Sequence, residues 1–397
     1  MFYFYRRAFL LLLLLLFLIY LPCIMSSYQI EKHEVKVTLK LIQVYVEDKE
    51  GNPVDDLKKS DFIVYDNGKE VNITEFEKHF LSKKLKRSGE IIPDKKGQKE
   101  ESASFLNRKF FFFFDFEKNG QEGINKSKEL ALNFLKENIL PSDEVAVLVY
   151  STVRGLEVCE QLTTDHLKII QSIKRLKSVP GGVDAGGLLQ FLILSPPTEG
   201  LDFRQDFHND QKGLFSYESD IRFAGTVSSE KILRRQIGLK FIETVKNLAD
   251  SLKNIPGNKN IVYFSAGYVN EFFYTDHIFR RSYQDMVKEL SASNCLVFAV
   301  STETPLGVLT GGNNQGESSL KYLAKESGGR YFGNIDNSQS IVDDLQKITG
   351  NYYVLGYYLY SDEDGKYHKV KVKLRGGKGK NLKVIYQKGY YNLNHLN

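Results

Sequence analysis

The sequence predicts an α/β protein: a doubly wound, Rossmann-like unit inserted into, or flanked by, a β-sandwich-like domain built from N- and C-terminal segments. Three observations carry this. Between Lys109 and Gly350, short apolar runs alternate with segments of helical periodicity, the pattern of a parallel sheet covered on both faces. Before and after that stretch the chain alternates apolar and polar residues between turn signals, with no helical period. Each flank holds too few strands to cover its own apolar face, so the two are expected to pair. Chain ends often lie close together, which lets an α/β unit occupy a loop of a sandwich.

Composition supports folded cores. Of 397 residues, 42% are hydrophobic and 26% charged, and the length suggests two or three domains. Net charge is +5 on 54 basic and 49 acidic side chains, so no global field recruits nucleic acid, which is not an expected partner. Arg6 and Arg7 precede Ala8–Leu21, fourteen uncharged residues rich in leucine, which reads as a secretory signal over 1–27. The protein is therefore expected to be exported, to the periplasm, the cell envelope or the medium. Ser26 and Ser27 offer a cleavage point; the alternative is an uncleaved anchor, because Ala8–Met25 is eighteen residues, the lower limit of a span. Only Cys159 and Cys295 follow the leader, and the seven histidines are scattered, so neither a disulfide scaffold nor a zinc site is indicated.

The elements follow in order. Residues 34–80 form the first part of the β domain. Val35, Val37, Leu39 and Leu41 alternate, and Ile42, Val44 and Val46 continue on the opposite parity, as in a strand with a bulge. Phe62–Tyr65 meets Val71–Phe76 across Asn67-Gly68, a hairpin signal. Residues 81–104, dense in charge and without periodicity, read as a solvated linker. The α/β unit spans 105–350. Phe110–Phe114 is its first strand, then a helix with Ala131, Phe134, Leu135 and Ile139 on one face, stopped by Pro141. Val145–Tyr150 and a weaker strand holding Cys159 precede a helix capped by Asp165, with Leu167, Ile170, Ile173 and Leu176 as its apolar stripe. Residues 179–228 interrupt the pattern with paired Gly and Pro, a length that points to a functional or a mobile segment. Then come a helix around Phe241, a strand at Ile261–Phe264, a helix around Met286 and Val287, and a strand at Leu296–Val300. Leu320–Ala324, Arg330–Phe332 and Ile341–Ile348 complete six strand and helix pairs. Residues 351–393 return to strands: Tyr352–Tyr360, His368–Leu374 and Leu382–Tyr386.

FFFFDFEKN at the first strand, IVYFSAG at the fourth and LAKESGGRYF near the end resemble the von Willebrand factor A (VWA) domain, over about Lys109 to Gly350. The flanks, VEDKEGNPVDDLKKSDFIVYDNGKEV and YYVLGYYLYSDEDGKYHKVKVKL with QKGYY, resemble the VWFA-related family of exported bacterial proteins. The resemblance implies a strand order that sets Cys159 and Cys295 about four strand spacings apart, so both are expected as unpaired, buried thiols.

An open doubly wound sheet holds its crevice outside the carboxyl ends of the strands, where strand order reverses. Asp115 and Ser265 each end an apolar run there, where the family places its metal-ion-dependent adhesion site. The family motif is DxSxS, then Thr, then Asp. This chain reads Asp115, Glu117 and Asn119, with Val183 beside Asp184 at the threonine and Ser265 at the later aspartate. The implied site is degenerate. Asp115, Glu117, Asn119, Asp184 and Ser265 still offer hard oxygens suited to Mg²⁺ or Ca²⁺; the alternative is a metal-free polar crevice, with no cofactor certain. A second carboxylate would neutralise the ion that an adhesion site offers to an acidic partner.

Catalysis is not expected. YFSAG around Ser265 lacks the first Gly of a nucleophile elbow, which leaves a divergent hydrolase as one alternative and a structural envelope protein as another. The reading is a non-enzymatic, adhesion-type module that recognises a protein or cell-envelope partner through its carboxyl-edge loops. Lys366–Lys388 holds nine basic residues and no acidic one, with Lys369, Lys371 and Lys373 on one strand face. That face either solvates the sheet and discourages edge pairing or meets an anionic envelope surface. Membrane contact is expected only there or through an uncleaved N-terminal segment.

Overall fold

The computed structural model describes residues 38–81, 107–177, 226–268, 270–303, 316–359, 365–376 and 381–392. The leader, nearly all of the linker, residues 179–225 of the interruption, and Val183 and Asp184 with it, lie outside the described residues.

The first flank forms β1 (Thr38–Glu47), β2 (Phe62–Asp66), β3 (Lys69–Val71) and β4 (Glu75–Phe80). The α/β unit follows with β5 (Lys109–Asp115), α1 (Gln121–Glu137), β6 (Glu144–Ser151), β7 (Gly155–Thr163), α2 (His166–Arg175) and α3 (Thr226–Leu252). It continues through β8 (Lys259–Ser265), α4 (Asn270–Thr275), α5 (His277–Ala292), β9 (Cys295–Ser301), α6 (Glu317–Ser327), β10 (Arg330–Phe332) and α7 (Ser338–Gly350). The last flank is β11 (Asn351–Leu359), β12 (Tyr367–Leu374), β13 (Lys383–Tyr386) and β14 (Gly389–Tyr391).

Six strands form one sheet in the order β10-β9-β8-β5-β6-β7, parallel except for β7. β5 is buried along its whole length because helices cover both faces. Phe110, Phe112 and Phe114 pack with Phe134 of α1 and Ile341, Val342 and Leu345 of α7. Phe111 and Phe113 pack with Phe241 of α3 and with Tyr283 and Met286 of α5. The chain thus shows the α/β fold class expected of it. β6 passes straight into antiparallel β7, so the six strands do not each carry a helix.

The flanks build two antiparallel sheets, β13-β1-β11-β4 and β14-β12-β2-β3, each drawing strands from both segments. They pack face to face: the Phe62 ring of β2 lies 6.0 Å from Phe76 of β4 and 5.2 Å from Tyr353 of β11. Asn67 and Gly68 carry positive φ of 47° and 83°, the geometry of a tight hairpin turn. Tyr45 and Ile385 carry the first sheet into the α/β core. A Cβ on Gly328, where φ is 92°, would sit 2.2 Å from the Tyr386 carbonyl oxygen, so the turn after α6 admits β13 only with glycine there.

Several local expectations are corrected. The hairpin's second strand stops at Val71; Thr74 then donates its amide to Gly356 at 2.7 Å, and β4 joins the other sheet. In β1, Ile42, Val44 and Val46 are buried while Leu39 and Leu41 are 40% and 48% exposed, so the first apolar set faces outward. Leu167 is 72% exposed, and Ile169 with Ile173 forms the buried side of α2. Cys159 is exposed because β7 is the edge strand of its sheet, whereas Cys295 is buried, four strands away in the sheet order. β12 lies between β14 and β2, and β14 pairs along Tyr367–Lys369, so Lys369 does not guard a free edge.

Candidate functional site

β5 and β8 run side by side in parallel, and the order reverses between them, because the chain leaves β5 for β6 on one side and returns as β8 on the other. Asp115 ends β5 and Ser265 ends β8. Alternation puts Phe113 and Asp115 on the same face as Tyr263 and Ser265, with Phe113 opposite Tyr263 in register.

Asp115 is 0% exposed. Its Oδ2 accepts the Tyr263 hydroxyl at 2.6 Å and the Ser265 hydroxyl at 2.7 Å. Its Oδ1 accepts the amides of Glu117 and Lys118, both at 3.1 Å, which folds the chain sharply after the strand. Ser265 Oγ in turn accepts the Gly267 amide at 2.9 Å. Burial holds the Asp115 carboxyl above its ordinary value, against the hydrogen bonds from Tyr263 and Ser265, which favour the ionised form. The Tyr263 phenol is pushed well above its ordinary value by burial and by Asp115 beside it.

Asn119 is also buried. Its Nδ2 donates to the Phe264 carbonyl at 2.9 Å, and its Oδ1 accepts the Thr302 hydroxyl, so it ties the β5 loop to β8 and to the residue after β9. Glu117 reaches the other way: its Oε2 accepts the hydroxyl and, at 3.3 Å, the amide of Thr152 beyond β6. Lys118 Nζ lies 4.0 Å from Glu117 Oε1 and 5.0 Å from the centre of the Tyr268 ring. Further along the edge, burial and the neighbouring Glu317 raise the Glu303 carboxyl.

The structure therefore brings Asp115 and Ser265 into contact and sets Glu117 and Asn119 apart, on separate neighbours. Every described member of the ligand set implied by the resemblance spends its oxygens on the protein itself. Among the described residues, no three His, Cys, Asp or Glu side chains gather as a metal group. Asp184, the remaining member of the implied set, lies outside the described residues. Tyr263, Thr302 and Thr152 were not singled out by the sequence. Parity could have found Tyr263, two residues before Ser265 on the face of Asp115, but a tyrosine inside an apolar run reads as core.

No family model matches the chain, and no curated protein matches it. Solved structures give weak likenesses. An aerotolerance-related membrane protein from Bacteroides fragilis NCTC 9343, carrying multiple mutations to serines, has a TM-score of 0.35 at 12% identity, over 61% of this chain and 98% of that one. The conserved hypothetical protein BatB from Bacteroides thetaiotaomicron has a TM-score of 0.35 at 10% identity, over 61% and 98%. Proximal thread matrix protein 1 from the mussel byssus has 0.34 at 10% identity, over 61% of this chain and 48% of that one. Likeness at this level carries no functional inference. Among the described residues, no helix is long and apolar enough to cross a membrane.

Proposed function

We propose that the chain is a non-enzymatic binding module of von Willebrand factor A type, exported, which takes a protein or cell-envelope partner at the carboxyl edge of its six-stranded sheet. One observation carries the reading: at the point of strand reversal, Asp115 organises the loops after β5 and β8 and is itself sealed from solvent. A partner would meet what that scaffold presents, Glu117, Lys118 and Thr152, while Asp115 holds the loops in place. Against the hydrolase alternative, Ser265 is fully buried and donates its hydroxyl to a carboxylate, with no histidine among its hydrogen-bond partners of the described residues.

Capture of a partner from envelope extract on the immobilised protein tests this. Glu117→Lys with Lys118→Glu should weaken capture, and EDTA should leave it unchanged. Capture abolished by EDTA and restored by Mg²⁺ would return the domain to the metal-dependent class. Capture indifferent to the charge reversal would remove the carboxyl edge from the reading.

A further inference from the structure

We propose that the outer face of the β14-β12-β2-β3 sheet binds a linear anionic polysaccharide along β12. Lys369, Lys371 and Lys373 are exposed on that strand, while His368, Val370 and Val372 between them are buried. Residues two apart on a strand stand about 6.8 Å apart on one face, so the three ammonium groups form a single file. They repel one another, and no described carboxylate forms an ion pair with them, although Glu70 lies on the same face in register with Tyr65. Glu70 is held by Arg375 at 3.0 Å, Glu289 by Lys253 at 3.3 Å, and Asp66 turns inward to His368 at 2.8 Å.

Tyrosines border the file beside its middle and at one end. Tyr65 of β2 is the register partner of Lys371, the middle lysine, and Lys373 Nζ lies 5.4 Å from its ring centre. Tyr367 and Tyr391 pair at the end next to Lys369, their rings 5.3 Å apart. All three are half-buried, which leaves flat amphipathic rings beside the cations, a surface suited to sugar rings. The neighbouring strand β2 presents Ile63 and Tyr65 to the same face, so the charge extends along one line. A flat bilayer would meet only that line, whereas a chain with charges repeating about every 7 Å can engage all three lysines. The expected export places glycans, not nucleic acid, within reach.

The full chain should be tested against heparin and polygalacturonate, which carry sulfate and carboxylate on a sugar chain. Neutral dextran, phosphatidylglycerol vesicles and a single-stranded oligonucleotide complete the set. Binding is expected to both acidic glycans and not to dextran, with a log-log salt slope near that of about three released counterions. The triple variant Lys369→Gln, Lys371→Gln, Lys373→Gln should bind roughly tenfold or more weakly with a flatter slope, and Tyr65→Ala should weaken binding without changing the slope. Because the lysines point outward and repel, the triple variant should melt no lower than the wild type, which separates lost binding from lost folding. Failure to bind either glycan, equal binding by the triple variant, or tighter binding to vesicles or oligonucleotide would overturn the proposal.

Discussion

Ionising Asp115 works against the fold, because burial beneath the sheet edge outweighs the hydroxyls, the amides and the nearby Lys118 charge that replace water. Its carboxyl is raised above the ordinary 3.8, so the folded chain binds more protons than the unfolded one over the interval between the two values. The corresponding stability is full below pH 3.8 and is lost as pH rises through the raised folded value. Asp115→Asn should therefore gain melting temperature relative to wild type as pH increases from about 4 to 7; a difference that stays constant with pH would contradict this. Thiol chemistry gives a second check at the same scale. Exposed Cys159 should react with a thiol reagent in the native protein, whereas Cys295, pushed up to about 12 by burial, should react only on denaturation. Strand ends were legible at this scale, since an apolar run that stops at Asp or Ser marks one. The hydrogen bond from Tyr263 was not, because it depends on which strand lies beside β5.

Helices and strands were legible where one local cause fixes them. Asp165 accepts the Lys168 amide at 3.1 Å and starts α2, as its position before an apolar stripe predicted. Asp165→Ala should cost about 1 kcal/mol, read by chemical denaturation. Phe134 of α1 lies edge-on to Phe110 at 5.0 Å and to Phe112 at 6.0 Å, fully buried, so Phe134→Ala should cost about 3–5 kcal/mol. A loss below about 1 kcal/mol would mean that α1 does not pack on β5 as described. What misled was parity. Leu39, Leu41 and Leu167 are apolar by type, and only tertiary packing decides that Ile42 and Ile169 turn inward instead. The bend between β3 and β4 was equally hidden, because Thr74 is drawn across by Gly356, far away in sequence.

At the scale of the molecule, the pairing of the two flanks followed from counting: few strands at either end cannot close a core. β2 depends on β12 and β4 on β11, so a chain ending at Gly350 should lose hydrogen-exchange protection around Asn67-Gly68, far from the cut. Full protection there would show that the first flank folds alone.

The same interleaving sets an order in time. β4 ends at Phe80 and its partner β11 begins at Asn351, so about 270 residues must be made before either antiparallel sheet can close. At about 5–20 residues per second, that interval lasts roughly a quarter of a minute to a minute. Throughout it, four finished strands have no C-terminal neighbours, while the α/β unit, whose strands pair only with one another, can already assemble. The first part of the protein to be synthesised is thus the last to fold, and a nascent chain stalled before Asn351 would present open strand edges to chaperones and to its own copies.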